Sequence, residues 1–259
     1  MKAFDDTAAI EVESLIRELG DAHKTIQRRA IDQLVAIAAS GDPLVIEKLR
    51  ASMAGSDRRV RWAAAYALAQ IGAEAFAMDS ADALCEAMAD DDGDIRWAAT
   101  NLMVRLGREN LTEISARLLK LAADTDHNAR KMALYCIRDL EIVGAELLAV
   151  LEGAVHDADV HVRLAALAVL SRIRDASGQS VRIILECMKS DPDPGVRRAA
   201  ASALGNIQEA SADAMAALAL AAADTDDESL ARAARGALDR LDRVRLDKER
   251  LEKQKWQRQ

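Results

Sequence analysis

The sequence contains few aromatic residues, few prolines and few cysteines, and it has no long apolar run. Aromatic residues make up 3% of its 259 residues, and there are three prolines and twelve glycines. Because 51% of the chain is nonetheless hydrophobic, with many alanines and leucines, the composition favours closely packed helices over sheets. No uncharged apolar stretch approaches the roughly 18 residues of a membrane span, so we expect neither a transmembrane segment nor a signal peptide.

Motifs for catalysis, metals and cofactors are also missing from the sequence. The cysteines Cys85, Cys136 and Cys187 are odd in number and far apart, and we expect them to be buried thiols of a cytoplasmic protein. Neither a phosphate-binding glycine loop nor a Gly-x-Ser-x-Gly nucleophile motif occurs. Metal-ligand spacings such as His-x-x-x-His are absent too. We therefore predict a protein without catalytic residues, metal or cofactor.

A motif beginning with Asp57 recurs along almost the whole chain. Its fullest copies are Asp57-Arg58-Arg59-Val60-Arg61-Trp62-Ala63-Ala64 and Asp92-Gly93-Asp94-Ile95-Arg96-Trp97-Ala98-Ala99. The apolar residue before the arginine defines position zero of each copy, which gives Ile26, Val60, Ile95, Ala129, Val162, Val196 and Leu230. The steps between these residues are 33 to 35 residues long. Self-similarity at this period predicts a repeat protein.

Each repeat is predicted to form two antiparallel helices. The first pair covers about Thr7–Leu19 and Lys24–Ala39, and Arg58–Ile71 is the second helix of the second repeat. Aspartates at the turns are expected to cap the second helices, and Asn110 is expected to cap the first helix of the fourth repeat. Positions +4, +8 and +11 of each second helix should face the core, because small or apolar residues recur there.

The pattern resembles HEAT repeats, especially the short bacterial kind known from phycobilisome lyases. The resemblance rests on the turn Asp, the Val-Arg pair, the Ala-Ala that follows, and the later Leu and Ile. It implies an all-α solenoid of about seven helical hairpins over residues 1–240, with an extended, charged C-terminal helix over 241–259. It also implies that the turn Asp and the Arg four residues later form a ladder of caps and ion pairs between repeats.

In such solenoids the second helices line the concave surface. Positions +2, +6, +9 and +10 should form the exposed side of these helices, which we call the B face. Four of the seven aromatic residues of the chain and eight basic residues, against three acidic ones, occupy these positions, although the net charge of the chain is −8. We predict a partner-binding site on this face. Its residues are Trp62, Tyr66, Trp97, Asn101, Arg105, Lys131, Tyr135, Arg138 and Arg172.

Three functions are compatible with this face. The first is a non-catalytic scaffold or adaptor that binds a protein with an acidic or anionic surface. The second is a cofactor-handling or assembly factor related to bilin lyases, with a tetrapyrrole or another anionic ligand in the groove. The third is nucleic-acid binding, which the negative net charge disfavours.

The HEAT-repeat hydroxylase uses His-Glu pairs, and this dipeptide does not occur in the chain. The HEAT-like glycosylases have an Asp near their tryptophans, where this chain has Tyr66 and Asn101.

The last segment departs from the repeat, since no Gly or Pro follows Leu241. From Arg240 onward it contains eight basic and four acidic residues, and it is predicted to be a helix that extends past the array. Its apolar residues Leu241, Val244 and Leu251 are too few to predict a coiled coil. The oligomeric state stays open.

Overall fold

The computed structural model describes residues 6–72, 78–173, 178–207 and 211–256. Within these ranges the regular elements are fourteen α-helices and a short 3-10 turn at Met78–Ser80, with no strand. The helices are α1 Asp6–Glu18, α2 Lys24–Ala39, α3 Pro43–Met53, α4 Arg58–Ile71, α5 Ala81–Ala87, α6 Gly93–Glu109, α7 Leu111–Leu121, α8 His127–Asp139, α9 Ala145–Ala154, α10 Val160–Leu170, α11 Gln179–Ser190, α12 Pro194–Leu204, α13 Ala212–Ala222 and α14 Glu228–Trp256. The predicted all-α solenoid is confirmed. Odd-numbered helices are the first and even-numbered helices the second of each repeat.

Local sequence signals account for several helix ends. Asp42 accepts the backbone N–H of Leu44, and Pro43 supplies the first residue of α3, where its missing N–H has no cost. Gly72 closes α4 with φ 146°, a conformation that favours glycine, and its N–H donates to the Leu68 carbonyl.

The prediction that Asn110 caps the fourth first helix is wrong. Asn110 occupies the N-cap position of α7, but its side chain makes no capping bond there. The side-chain amide donates instead to the Leu106 carbonyl at 3.2 Å, at the end of α6. The reason is that α6 continues to Glu109, which leaves a single residue between the two helices.

The chain forms two compact units, Met1–Cys136 and Ile137–Gln259, with the division inside α8. We call them the N-terminal and the C-terminal unit. The predicted boundary at residue 240 stays a prediction, and α14 runs through it without a break.

Alanines and leucines form the core of each unit. Ala64 and Leu68 in the N-terminal unit and Ala200 and Leu204 in the C-terminal unit are fully buried, as positions +4 and +8 predict. Ile71 at position +11 is only half-buried. Small side chains at these positions let neighbouring helices approach closely. None of the helices among the described residues is long and apolar enough to cross a bilayer.

Candidate functional site

In every repeat but the first, an aspartate of the turn caps the second helix that follows it; α2 begins after His23, whose side chain makes no capping bond. In six repeats its carboxylate accepts a backbone N–H of the first helical turn at 2.7–2.9 Å. The residues are Asp57, Asp92, Asp126, Asp159, Asp193 and Asp227. This confirms the predicted capping role, which satisfies donors that an α-helix leaves open and places negative charge at the positive end of the helix dipole.

An arginine stands four residues after five of the six caps, and it connects its helix to the turn before it. One guanidinium N–H donates to the carbonyl six residues earlier, at 2.6–3.0 Å. The residues that do so are Arg61, Arg96, Arg130, Arg163 and Arg197. Three of them also pair with an acid of the following repeat: Arg61 with Glu86, Arg163 with Asp191 and Arg197 with Asp227. These arginines therefore stabilise the stack of repeats.

Lys24 forms an ion pair that the repeat pattern does not predict. Its ammonium contacts the carboxylates of Asp92 and Asp94, two repeats further along the N-terminal unit. The hydrogen bond from Lys24 lowers the pKa of Asp92, and the same bond raises the pKa of Lys24. The repeat period of about 34 residues predicts contacts between adjacent repeats. It gives no indication of a contact between the first repeat and the third.

A stacked aromatic pair lies on the B face of the N-terminal unit. The rings of Trp97 on α6 and Tyr135 on α8 are stacked with centroids 5.3 Å apart and planes 15° from parallel. Trp97 is 50% exposed, and Tyr135 is half-buried. A half-exposed indole held against a second ring of the next repeat has the character of a binding anchor.

Trp62 is not exposed, contrary to the prediction for the B face. Only 7% of this residue is accessible, and its ring lies 5.3 Å from that of half-buried Tyr66, tilted by 48°. Ala69 and Val104 at position +9 are buried as well. Positions +2 and +9 lie at about 200° and 180° around the helix, at the flank that adjoins a neighbouring helix. Position +10 is exposed in all seven repeats, whereas positions +2 and +6 are exposed in some repeats only, and Trp62 belongs to the core.

The polar site residues of the N-terminal unit surround the stacked pair. Asn101 is exposed one turn after Trp97 on α6. Arg105, a further turn on, donates to the Ala69 carbonyl at 3.0 Å, so it caps the end of α4 and remains largely exposed. Lys131 on α8 donates to the Asn128 side chain at 3.0 Å. Trp97, Asn101 and Arg105 therefore form one exposed row on α6.

The last two predicted site residues, Arg138 and Arg172, lie in the C-terminal unit. Arg138 is half-buried and pairs with Asp139 at 2.8 Å, whereas Arg172 is exposed. Their place in a site with Trp97 stays a prediction.

The cysteines are poor candidates for a nucleophile. Cys136 and Cys187 are buried as predicted, whereas Cys85, also predicted to be buried, is half-buried. Burial raises the pKa of the Cys85 and Cys187 thiols to about 11, with nearby carboxylates adding to the effect. Both are therefore protonated at neutral pH and weakly reactive. Within the described ranges, no group of three or more His, Cys, Asp or Glu side chains could hold a metal ion.

Two cavities lie beside the ladder of caps and arginines. One, of about 430 Å³, is lined by Arg61, Cys85 and Glu86, and the other, of about 190 Å³, by Arg163, Cys187 and Asp191. Both are bounded by ion pairs that join repeats, so the arrangement there is structural.

Comparison with known proteins agrees with this architecture. A family model of HEAT repeats matches residues 12–104 and 147–239. A HEAT-like repeat protein from the archaeon Thermococcus onnurineus NA1 is 12% identical, with a TM-score of 0.54 over 94% of this chain and 99% of its own. A chain from the complex of Kap95p with RanGDP is 14% identical, with a TM-score of 0.58 over 89% of this chain and 35% of its own.

Human deoxyhypusine hydroxylase, 17% identical over 92% of this chain and 99% of its own, has a TM-score of 0.42. A search of curated sequences finds no match. The family model covers well over half of the sequence, and its two matched stretches contain five of the six capping aspartates described above. The chain therefore belongs to the HEAT-repeat family.

Proposed function

We propose that this protein is a non-catalytic scaffold that binds a protein partner through the B face of its N-terminal unit. The observation that carries the proposal is the Trp97–Tyr135 stack, in which half of a tryptophan is exposed beside a row of polar side chains. Large aromatic side chains dominate the binding energy of protein interfaces, and they are enriched there together with arginine.

The stack also restricts the orientation of the Trp97 side chain before a partner binds. Tyr135 limits the orientations of the indole before a partner arrives, so less side-chain entropy is lost in the complex. Asn101, exposed one turn away, offers one donor group and one acceptor group to a peptide backbone. These three residues form the proposed anchor.

The charge of the B face suggests an acidic partner. Arg105 and Lys131 lie at positions +10 and +2 beside the anchor, and the face as a whole has eight basic residues against three acidic ones. Such a surface attracts and orients an acidic protein. Duplex nucleic acid is disfavoured because the whole chain has a net charge of −8. We place the scaffold in the cytoplasm, in keeping with its three free thiols.

The fold is compatible with this function. The complex of Kap95p with RanGDP shows that a related solenoid fold serves in a protein–protein assembly. At 14% identity the likeness concerns the fold, so the choice of partner rests on the side chains of this chain.

The proposal is tested by substituting the anchor. Purified wild type, Trp97→Ala and Leu111→Ala are immobilised and exposed to native lysate, and bound proteins are identified by mass spectrometry. Leu111 is the matched control, since it is an apolar residue of the same unit, 46% exposed, on the first helix α7. We expect Trp97→Ala to lose a partner that wild type and Leu111→Ala retain. With the purified partner, the affinity should fall by a factor of about 30 or more.

A flat anionic ligand is the second candidate, because the nearly parallel rings of Trp97 and Tyr135 would also stack with a conjugated molecule. The same experiment separates the two functions. A coloured small molecule in the eluate, lost from Trp97→Ala and without an accompanying protein, would support the cofactor-handling function. Equal retention of every bound species by all three proteins would reject the anchor.

A further inference from the structure

The residue two before position zero is a lysine or an arginine in the first two repeats only. It is Lys24 in the first repeat and Arg58 in the second. The other five repeats have Gly93, His127, Val160, Pro194 and Glu228 there. Both basic side chains reach forward to residues 90–94 before and at the start of α6, which contain four aspartates and which we call the acidic turn. The start of the helix that carries Trp97 is therefore linked to both earlier repeats.

Two aspartates of the acidic turn each use one carboxylate oxygen for the backbone and the other for a basic residue. Asp90 accepts the backbone N–H of Asp92 at 2.9 Å, and its second oxygen lies 3.9 Å from the Arg58 guanidinium. Asp92 accepts the backbone N–H of Asp94 at 2.9 Å, and its second oxygen contacts the Lys24 ammonium. The ammonium also lies 3.6 Å from the Asp94 carboxylate. The conformation of the turn is thus coupled to the two basic side chains.

The packing of α6 makes these links important for its position. It lies mainly on the first helices α5 and α7, and it contacts α4 less extensively than α14 contacts α12. Where α14 approaches α12, a Cβ on Gly205 would lie 2.7 Å from that of Ala237, so this glycine permits a close approach. The residues at the same two register positions of α4 and α6 are Ala69 and Leu102. They are larger, and they keep the two helices further apart.

A polar link also ties the other end of α6. Arg105 donates to the Ala69 carbonyl at the end of α4. The preceding second helices therefore hold α6 at its start through Lys24 of α2 and at its end through Arg105. Trp97 lies one turn after Asp94, so a shift of the first turn of α6 moves the indole with it. Because Tyr135 stands on a different helix, such a shift would change the overlap of the two stacked rings.

We propose that Lys24 is a positioning residue for Trp97. Together with Arg58 it holds the acidic turn, fixes the start of α6 and keeps the indole stacked on Tyr135. The proposal rests on the proposed function for the role of Trp97 as an anchor. The Lys24 side chain is 62% exposed, so its ion pair is weak and sensitive to salt. It adjusts the position of α6 without being needed for the fold, and the first repeat thereby acts on an anchor two repeats away.

The first test measures hydrogen exchange of the full-length protein by mass spectrometry. In Lys24→Met, peptides from the start of α6 should exchange about two- to fivefold faster, which is the factor that an exposed ion pair supplies. Lys48→Met is the matched control, because Lys48 pairs with Glu13 on the exposed surface of the same unit, and it should leave α6 unchanged. Far-UV circular dichroism should be the same for all three proteins. Equal exchange at the start of α6 in wild type and Lys24→Met overturns the proposal.

The second test follows the Trp97 ring itself. Trp62→Phe and Trp256→Phe leave Trp97 as the only tryptophan, so acrylamide quenching reports its exposure. In this background Lys24→Met should raise the quenching constant towards twice its value, since half of the residue is already exposed in the stack. Sodium chloride at about 1 M should have the same effect on the protein that retains Lys24, and little effect on Lys24→Met. Unchanged quenching in Lys24→Met contradicts the proposal, as does an equal rise in Lys48→Met.

A charge exchange distinguishes positioning from the loss of a side chain. Lys24→Glu and Asp94→Lys each bring like charges together, whereas the double variant restores an ion pair at the same place and spares the Asp92 cap. The double variant should therefore return both the exchange rate and the quenching to wild-type values. A double variant no closer to wild type than Lys24→Glu would show that this contact does not set the position of Trp97. These measurements involve no partner, so their outcome is independent of the lysate experiment on Trp97→Ala that tests the proposed function.

Discussion

Two tryptophans at the same repeat position have opposite surroundings. Trp62 is 7% exposed and belongs to the core, whereas Trp97 is 50% exposed and stacks on Tyr135. The sequence predicts the same orientation for both, because both follow position zero by two residues. Position +2 lies about 200° around the helix axis from position zero. A side chain there is buried or exposed according to how closely the neighbouring helix packs against it. The helical period cannot supply that information.

The difference predicts unequal effects on stability. Trp62→Ala removes a large buried ring and should lower the free energy of unfolding by about 3–5 kcal/mol. Trp97→Ala removes a half-exposed ring and one aromatic stack, so its effect should be about 1 kcal/mol. Urea titrations followed by circular dichroism measure both values. Equal losses would mean that the two indoles are packed alike, and a Trp62→Ala protein of normal stability would place Trp62 outside the core.

At the scale of the helices, the sequence predicts most of the fold. The bounds of α2 and α4 agree with the predicted residues 24–39 and 58–71, and the Asp57 cap and Gly72 mark the two ends of α4. Asn110 shows the limit of this reasoning. It lies between two helices one residue apart, and its side chain bonds to the helix before it. An amide can serve either helix end, so composition alone does not decide between the two.

The buried ion pair between α10 and the end of α11 predicts how strongly neighbouring repeats are coupled. Arg163 donates to both carboxylate oxygens of Asp191, at 2.9 and 3.1 Å, and both residues are buried. Arg163→Met would leave the Asp191 carboxylate buried without its partner, which costs about 3–5 kcal/mol of stability.

The control for this pair is Arg232→Met. Arg232 pairs with Glu228 on α14, and both side chains are mostly exposed, so its removal should change the free energy of unfolding by about 0–1 kcal/mol. Denaturant titration of the two variants beside wild type gives the comparison. A loss for Arg163→Met as small as that for Arg232→Met would show that the buried pair adds no coupling between the fifth and sixth repeats.

Across the whole molecule, charge is sorted between the turns and the B face. Acidic residues gather at the turns, where six aspartates cap second helices, and basic residues prevail on the B face of a chain with a net charge of −8. The sequence predicts this sorting because caps and face positions follow from the repeat register. It does not predict the contact of Lys24 with Asp92, which depends on how far each repeat of the N-terminal unit rotates relative to the one before.

The capping aspartates predict how stability depends on pH. The hydrogen bond from Lys24 lowers the pKa of Asp92, and the backbone N–H of Leu230, followed by Arg197, lowers that of Asp227. A carboxyl whose pKa is lower in the folded state stabilises the protein above its unfolded pKa of about 4. That contribution is lost as the pH falls through the folded value. We therefore expect the urea midpoint to fall steeply below about pH 4.

Substitution by asparagine isolates this effect from capping itself. Asn caps a helix as well as Asp does but has no carboxyl to protonate. Asp92→Asn and Asp227→Asn should therefore reduce the difference in urea midpoint between neutral and acid pH, because each removes a group that binds a proton more readily in the unfolded chain. Asp91→Asn, an exposed neighbour in the same turn as Asp92, is the control and should leave the pH dependence of wild type unchanged. If all three variants gave the wild-type slope, acid unfolding would arise from other carboxyls, and these two caps would act through geometry alone.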